Sequence, residues 1–263
     1  MRARRLLFTA VLILTLIACA PSKTVESDGP VPTQSQTPEE TAPTELVWTD
    51  QSFVRDFTAD DGTVVMSVEY LFPGITRAEQ VPAWQKIQDY YAAEGMAYLN
   101  DAADLAGYAA GDYEVAKAMG EDFLPYGESM SYRISLQTED LASIVRSYYA
   151  NSVTGAAHPS NFQFSETFDL TTGEKLTLDD CFTDAAAGRT RALDLLAQKG
   201  GDAGYSRESL EAELNDAYFY LNDEGMVIYY QPDTLAPYAA GLLEFTLPYA
   251  DLQDLLAISP IPS

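Results

Sequence analysis

The sequence predicts an α+β fold of mainly antiparallel sheet, with helices packed on one side, in two linked subdomains. Strands and helices come in blocks instead of alternating regularly, and this order favours antiparallel over parallel sheet. Apolar and polar residues alternate at residues 64–70 and again at 132–136, as in half-buried strands. Large apolar residues recur at helical spacing between these two blocks. A hydrophobic content of 47% supports a packed core.

The first residues have the three parts of a secretory signal. Arg2, Arg4 and Arg5 precede an apolar run at residues 6–18, which ends in small residues before Cys19. A basic segment, a short apolar segment and small residues at the cleavage point are typical of such a signal. The apolar run is shorter than the roughly 20 residues that a membrane-spanning helix needs.

The Leu-Ile-Ala sequence before Cys19 resembles the lipobox of bacterial lipoproteins. The resemblance implies that residues 1–18 are removed as a lipoprotein signal peptide and that Cys19 carries the lipid. The protein is then expected outside the cytoplasm, anchored to the cell membrane. A plain signal peptide with an incidental cysteine, or a retained anchor, is the alternative. Residues 19–45 are rich in Pro, Thr, Ser and Glu and predict a disordered tether.

The charge of the chain limits its partners. The formal net charge is −25, and removing the three signal arginines leaves 12 basic against 40 acidic residues, a net charge of −28. Nucleic acid and anionic lipid surfaces would be repelled by this charge, whereas a cationic partner would be attracted. The alternative is that the acidity only keeps an exported protein soluble.

The first α+β subdomain is predicted at residues 46–125. Two strands flank an Asp-Asp-Gly sequence that ends at Gly62 and is typical of a hairpin. A long helix is predicted at residues 83–105, followed by a separate helical piece at residues 113–119.

The second α+β domain is predicted at residues 126–258. A strand at residues 161–170 leads to a turn at Gly173, and Asp179 and Asp180 fit the N-cap of a helix. Further helices are predicted at 185–199 and 207–216, a hairpin around 222–225, a strand at 242–247 and a short closing helix at 249–256.

Several short motifs of this second domain occur in an order that resembles a known family. They are Gly155-Ala156-Ala157-His158, Phe168-Asp169-Leu170 with Gly173, Leu176 and Leu178 with Asp180, and Tyr230 and Pro232 followed by Tyr238 and Gly241. The family is the RsiV-type C-terminal domain, the lysozyme-sensing part of an anti-sigma factor, also found beside peptidoglycan deacetylase domains. Residues 53–122 resemble the deacetylase-associated domain that often precedes it.

The resemblance implies binding of a cationic, lysozyme-like enzyme or of peptidoglycan. An anti-sigma factor needs a cytoplasmic segment and a transmembrane helix, and we expect neither from the short basic segment and short apolar run. We therefore expect no direct sigma-factor regulation. The function expected is therefore that of a lipid-anchored extracytoplasmic binding protein of the bacterial envelope. A carboxylate-dependent cell-wall hydrolase and an envelope structural component remain the alternatives.

The residue inventory argues against most catalytic chemistry. After signal removal and lipidation of Cys19, the chain offers only His158 and Cys181 as soft ligands, too few for a zinc site. We therefore expect no metal and no cofactor, and the inventory favours a protein that is not an enzyme. The residue count permits a Ser–His–Asp triad that uses His158, although the Gly-x-Ser-x-Gly sequence is absent. Cys181 is predicted to be a buried, inert thiol.

Five residues are candidate binding residues. His158 follows small residues in a predicted loop, and its imidazole could instead satisfy a buried polar partner. Tyrosine doublets such as 148/149 and 229/230 suggest glycan stacking, because neighbouring residues of a strand point to opposite faces and one ring of each pair would face outwards. The complete set is His158, Asn161, Tyr148, Tyr230 and Tyr238.

Overall fold

The computed structural model describes residues 45–151, 158–215 and 218–260. The predicted signal peptide, Cys19 and nearly all of the tether lie outside the described residues. The strands are β1 (Trp48–Thr58), β2 (Val64–Ile75), β3 (Tyr126–Gln137), β4 (Leu141–Asn151), β5 (Ser160–Asp169), β6 (Lys175–Leu176), β7 (Phe219–Leu221), β8 (Gly225–Tyr230) and β9 (Leu243–Pro248). The α-helices are α1 (Pro82–Met119), α2 (Ala185–Asp202) and α3 (Arg207–Ala212).

The strands form a six-stranded sheet and a three-stranded sheet. The order in the large sheet is β1-β2-β3-β4-β5-β6, and in the small sheet β7-β8-β9. The β2–β3 pair is parallel, and the other pairs of neighbouring strands are antiparallel. The predicted α+β class with mainly antiparallel sheet is confirmed.

The hairpin predicted at Gly62 is confirmed. It joins β1 to β2, and Gly62 has φ 85°, a left-handed conformation that favours glycine. Helix α1 connects the parallel strands β2 and β3. Because these two strands pair within one sheet, the sheet continues across the predicted subdomain boundary at residue 125. The boundaries themselves stay a prediction.

Helix α1 is one continuous helix, so the prediction of two separate helical pieces was wrong. Its second half is buried through Ala102, Ala106 and Ala109, at helical spacing. Because alanine is small and weakly hydrophobic, this stripe is a faint signal beside the large aromatic residues of the first half. No helix in the described part of the chain is long and apolar enough to cross a membrane.

A buried ion pair fixes α1 to the large sheet. The guanidinium of Arg146 on β4 donates to the carboxylate of Glu166 on β5, and the two side chains are 3% and 4% exposed. Two α1 tyrosines reach the same carboxylate, with Tyr91 Oη donating to Glu166 Oε2 at 3.2 Å and Tyr90 Oη to Oε1 at 3.4 Å. The Glu94 carboxylate of α1 lies 3.4 Å from the guanidinium. Burial lowers the pKa of Arg146, but Glu166 together with Tyr91 and Tyr90 raises it, and the net shift is upward, so the group stays charged.

The small sheet covers the opposite face of β4 and β5. Leu221 N donates to Ser143 Oγ at 2.9 Å, and Ser165 Oγ donates to the carbonyl of Phe219. Helices α2 and α3 complete a second core with the small sheet. The large sheet therefore contacts a helix on one face and, over β4 and β5, a second sheet on the other.

Two local predictions in the second domain were wrong. Asp179 and Asp180 lie in a short 3₁₀ turn and cap no α-helix there; the carboxylate of Asp180 accepts from Thr177, and Asp184 caps α2. The pKa of Asp180 is lowered by these Thr177 hydrogen bonds. The predicted closing helix is only a 3₁₀ turn at Tyr249–Asp251. Helix α3 begins after Ser206, whose hydroxyl accepts from the backbone N–H of Ser209, and it ends at Ala212, before the predicted end at residue 216.

Candidate binding cleft

A cleft lies between the exposed ends of β4 and β5 and the segment that precedes β9. Its volume is about 490 Å³. Strand residues form one wall, and a turn around Tyr238–Ala240 forms the other. The side chains used below are those of Ser147, Tyr148, Asn161, Phe162, Gln163 and Tyr238.

Three predicted residues meet at the mouth of the cleft. The ring of His158 stacks on the ring of Tyr238, with 3.6 Å between centroids and an interplanar angle of 14°. Tyr238 Oη donates to the carbonyl of Pro159 at 2.6 Å and accepts from Asn161 Nδ2 at 2.5 Å. These contacts join β5 to the Tyr238 turn and hold the tyrosine ring in a fixed orientation.

A second aromatic pair lies on the α1-facing side of the same strands, because Tyr148 and Phe162 alternate with Ser147 and Asn161. Tyr148 stacks against Phe162, its partner across β4 and β5, with 6.4 Å between centroids and 27° between the rings. Phe162 is 43% exposed, whereas Tyr148 also packs against Tyr98 of α1. Burial, together with the nearby carboxylate of Glu128, raises the pKa of Tyr148. Tyr148 is therefore neutral at ordinary pH.

The cleft is also lined by Gln163, an amide that sequence reasoning missed and that Gln231 and Glu244 hold in place. Gln231 Oε1 accepts from the backbone N–H of Gln163 at 3.1 Å, and its Nε2 donates to the Gln163 carbonyl. Gln163 Nε2 donates to Glu244 Oε1 at 3.0 Å, and Tyr220 Oη donates to the same oxygen at 3.2 Å. The spacing of Gln163 two residues after Asn161 was the signal available, because it places both amides on one strand face.

The fifth candidate, Tyr230, lies away from the cleft. Tyr230 is 1% exposed, and its hydroxyl donates to the carbonyl of Leu210 in the second core at 2.9 Å. We expected one ring of each tyrosine doublet to face outwards. Tyr149 does so and is 44% exposed, but the expectation was wrong for Tyr229 and Tyr230. Both are buried because β8 is the central strand of the small sheet, packed on both faces.

Cys181 is buried in the second core, as predicted. Burial, with a smaller contribution from the Asp180 carboxylate, raises the pKa of the thiol to about 12. A thiol with such a pKa is a poor nucleophile near neutral pH. Among the residues that the structure describes, no group of three or more His, Cys, Asp or Glu is placed to hold a metal ion.

The arrangement of the cleft suits binding through ring faces and hydrogen bonds. The His158–Tyr238 stack offers an apolar ring surface, while Asn161 and Ser147 offer polar groups in the strand wall. His158 Nδ1 lies 3.1 Å from the carbonyl of Pro159, and its ring face is covered by Tyr238. The imidazole therefore has a structural partner, as the alternative in the sequence analysis proposed, although it is exposed instead of buried.

Comparison with known proteins identifies one matching domain family and two solved structures with a similar fold. Residues 193–250 match the family described as "Protein of unknown function (DUF3298)". A search of curated proteins found no match. A crystal structure of a DUF3298 family member from Bacteroides fragilis is 17% identical, with a TM-score of 0.61, over 84% of this chain and 97% of that one. A DUF3298 family protein from Pseudomonas aeruginosa PAO1 is 15% identical, with a TM-score of 0.53, over 84% of this chain and 98% of that one.

Both solved structures are too distant in sequence to transfer a ligand or an activity, and they show the fold alone. The RsiV-type identity and the predicted N-terminal domain stay interpretations of the sequence. The chain contains a DUF3298 domain, a domain of unknown function, at residues 193–250.

Proposed function

We propose that the protein is a noncatalytic binding module whose cleft holds glycan strands of the bacterial cell wall. The observation that carries the proposal is the His158–Tyr238 ring stack, to which the amide of Asn161 bonds at the mouth of the cleft. Sugar rings present apolar C–H faces and polar hydroxyl edges, and a concave site with aromatic walls and a few fixed polar groups complements both.

The location belongs to the same proposal. The lipobox-like sequence at Cys19 and the composition of residues 19–45 support a lipid anchor and a tether on the outside of the cell membrane. Replacing Cys19 with Ala is expected to release the protein into the soluble fraction or to block its processing. Unchanged membrane fractionation of this variant would contradict the anchor.

A pull-down with purified peptidoglycan tests the cleft. Tyr238→Ala removes one ring of the first stack, and Asn161→Ala removes the amide that bonds to it. Each is expected to reduce the bound fraction about tenfold, since one stacking or hydrogen-bonding contact of about 1.4 kcal/mol corresponds to that factor. The matched control is Tyr108→Ala, a tyrosine on α1 that is 73% exposed and lies outside the cleft. Equal retention of all variants, or none of the wild type, would exclude the cleft as a glycan site.

A cationic, lysozyme-like enzyme is the second candidate partner. The observation in its favour is the formal net charge of −25, which would accelerate encounter with a basic protein. Binding of lysozyme that falls steeply with salt, and that Tyr238→Ala does not affect, would support this partner at a surface other than the cleft. Absence of binding at moderate salt would remove it.

A further inference from the structure

Tyr149 is an exposed aromatic residue near the end of β4. Its side chain is 44% exposed. Within the part of the chain that the structure describes, its ring packs against no other aromatic ring and its hydroxyl makes no hydrogen bond. Its neighbour Tyr148 differs, because it packs against the rings of Tyr98 and Phe162. Tyr149 therefore presents a ring to solvent that the described fold does not use.

This ring continues the strand wall of the cleft on the next strand. Strand register pairs Tyr149 with Asn161 of β5 on one side and with Ser129 of β3 on the other. Residues paired in this way lie on the same face of a sheet. The small sheet bonds to this face through Ser143 and Ser165, further along the two strands. The row from Asn161 through Tyr149 to Ser129 thus leads from the cleft onto the exposed part of the face.

A cavity of about 360 Å³ opens beside the Tyr149 ring. Tyr149, Ser129 and Gly127 are among the residues that line it. Its volume lies within the range of sites that hold small ligands. A Cβ at Gly127 would meet no atom within 4 Å, so glycine leaves open space in this wall. The exposed ring therefore borders a concave space in which a flat ligand group can lie against it.

The spacing of the strands matches the repeat of a linear glycan. Neighbouring strands of a sheet lie about 4.8 Å apart, which is close to the length of one sugar residue in a β-1,4-linked chain. A chain that crosses the strands at a right angle therefore places successive sugars over successive strands. Asn161, Tyr149 and Ser129 occupy three successive strands in register, so they would meet successive sugars of one chain.

We infer that Tyr149 is a second stacking platform for the ligand of the cleft, and that the ligand is a linear glycan strand bound along its length. This inference rests on the glycan-binding function proposed for the cleft. The first sugars lie against the His158–Tyr238 stack and the amide of Asn161. The chain then crosses from β5 to β4, and a further sugar lies on the Tyr149 ring in the neighbouring cavity. A single sugar or a disaccharide fills only the cleft.

Two N-acetylglucosamine oligomers of different length separate the two platforms. Titration calorimetry of the wild-type protein is expected to show about tenfold tighter binding of the tetramer than of the dimer, the effect of one further stacking contact. Tyr149→Ala should remove most of this gain and leave the affinity for the dimer unchanged. Tyr149→Phe keeps the ring and should retain the gain. Tyr238→Ala should weaken the binding of both oligomers.

Gly127→Val tests the cavity without removing any contact. The added side chain enters the space beside Tyr149, and a β-branched residue suits a strand better than glycine does. This variant should therefore fold and bind the dimer like the wild type, and its gain for the tetramer should be lost. The matched control is Tyr108→Ala, because Tyr108 is a tyrosine of α1 that is 73% exposed and lines neither cavity. It should change neither affinity.

The outcomes distinguish this inference from the proposed function. Equal affinity of the wild type for the dimer and the tetramer would overturn the second platform while leaving the cleft in place. A gain for the tetramer that survives Tyr149→Ala or Gly127→Val would do the same, as would an equal loss of dimer and tetramer binding in Tyr149→Ala. Absence of binding of both oligomers to the wild type would instead overturn the proposed function and this inference together.

Discussion

The two faces of β4 and β5 differ in what they do with polar side chains. On the face towards α1, Arg146 and Glu166 are buried and bonded to each other and to tyrosines. On the opposite face, Tyr149 and Asn161 are exposed beside the cleft. Because successive residues of a strand alternate between faces, one pair of strands supplies both environments. The comparison indicates that the closed face contributes to stability, and it places the proposed binding on the open face.

Breaking the buried pair should have the largest effect on stability. Glu166→Gln leaves the guanidinium of Arg146 buried without its main counter-charge, and removal of one partner of such a pair costs roughly 3–5 kcal/mol. Denaturant unfolding followed by fluorescence measures the loss. Glu94→Gln is the matched control, because Glu94 is 36% exposed and lies at 3.4 Å, so about 1 kcal/mol or less is expected. Equal losses for both variants would contradict the closed-face account.

Gly95 tests how closely α1 approaches the sheet. A Cβ at Gly95 would lie 2.2 Å from the ring of Phe53 on β1, so the ring must move from its edge contact with Phe72. Gly95→Ala is expected to cost about 1–3 kcal/mol despite the better helix propensity of alanine. Gly107→Ala in the same helix meets no atom within 4 Å and should stabilise the protein by about 0.5–1 kcal/mol. Stabilisation by both substitutions would contradict the close packing.

The buried thiol of Cys181 can be tested through the pH dependence of stability. Its pKa of about 12 in the folded protein lies above the ordinary thiol value of 9.0, so folding favours the protonated form. The contribution is fully present below pH 9 and is lost as the pH rises towards 12. Between pH 8 and 10 the wild type should lose about 1 kcal/mol more than Cys181→Ala, measured by denaturant unfolding. Identical pH dependence of the two proteins would show that the thiol is not protected by burial.

The neighbouring tyrosines 148 and 149 provide the smallest expected effect on stability. Tyr149→Ala removes a ring that is 44% exposed and should change the free energy of unfolding by about 0.5 kcal/mol or less. Tyr148→Ala removes contacts with Tyr98 and Phe162 and should cost more. Thermal melts of the two variants compare the faces directly. A larger loss for Tyr149→Ala would reverse the assignment of the faces.

The sequence predicted the fold class because alternation and hairpin turns are local signals. It failed at α1, where the buried stripe is built from alanines, and at Asp180, whose carboxylate bonds to the preceding Thr177 instead of capping a helix. It also grouped Tyr230 with the binding residues, although burial on both faces of β8 is set by tertiary packing.

The cleft was only partly predictable for the same reason. His158, Asn161 and Tyr238 were selected from motifs, and the structure brings them together although Tyr238 lies about 80 residues further along the chain. Gln163 lines the cleft and is held by Gln231, 68 residues further along the chain. The residue pattern of one strand cannot predict such a contact, because the contact depends on how the small sheet packs on the large one.

Chemical-shift mapping of the isotope-labelled protein with N-acetylglucosamine tetramer tests the central claim most directly. The account predicts shifts at Ser147, Asn161, Gln163 and Tyr238, with the α1-facing Arg146 and Tyr91 unchanged. Shifts confined to α1, or no shifts at saturating tetramer, would contradict the assignment of binding to the open face.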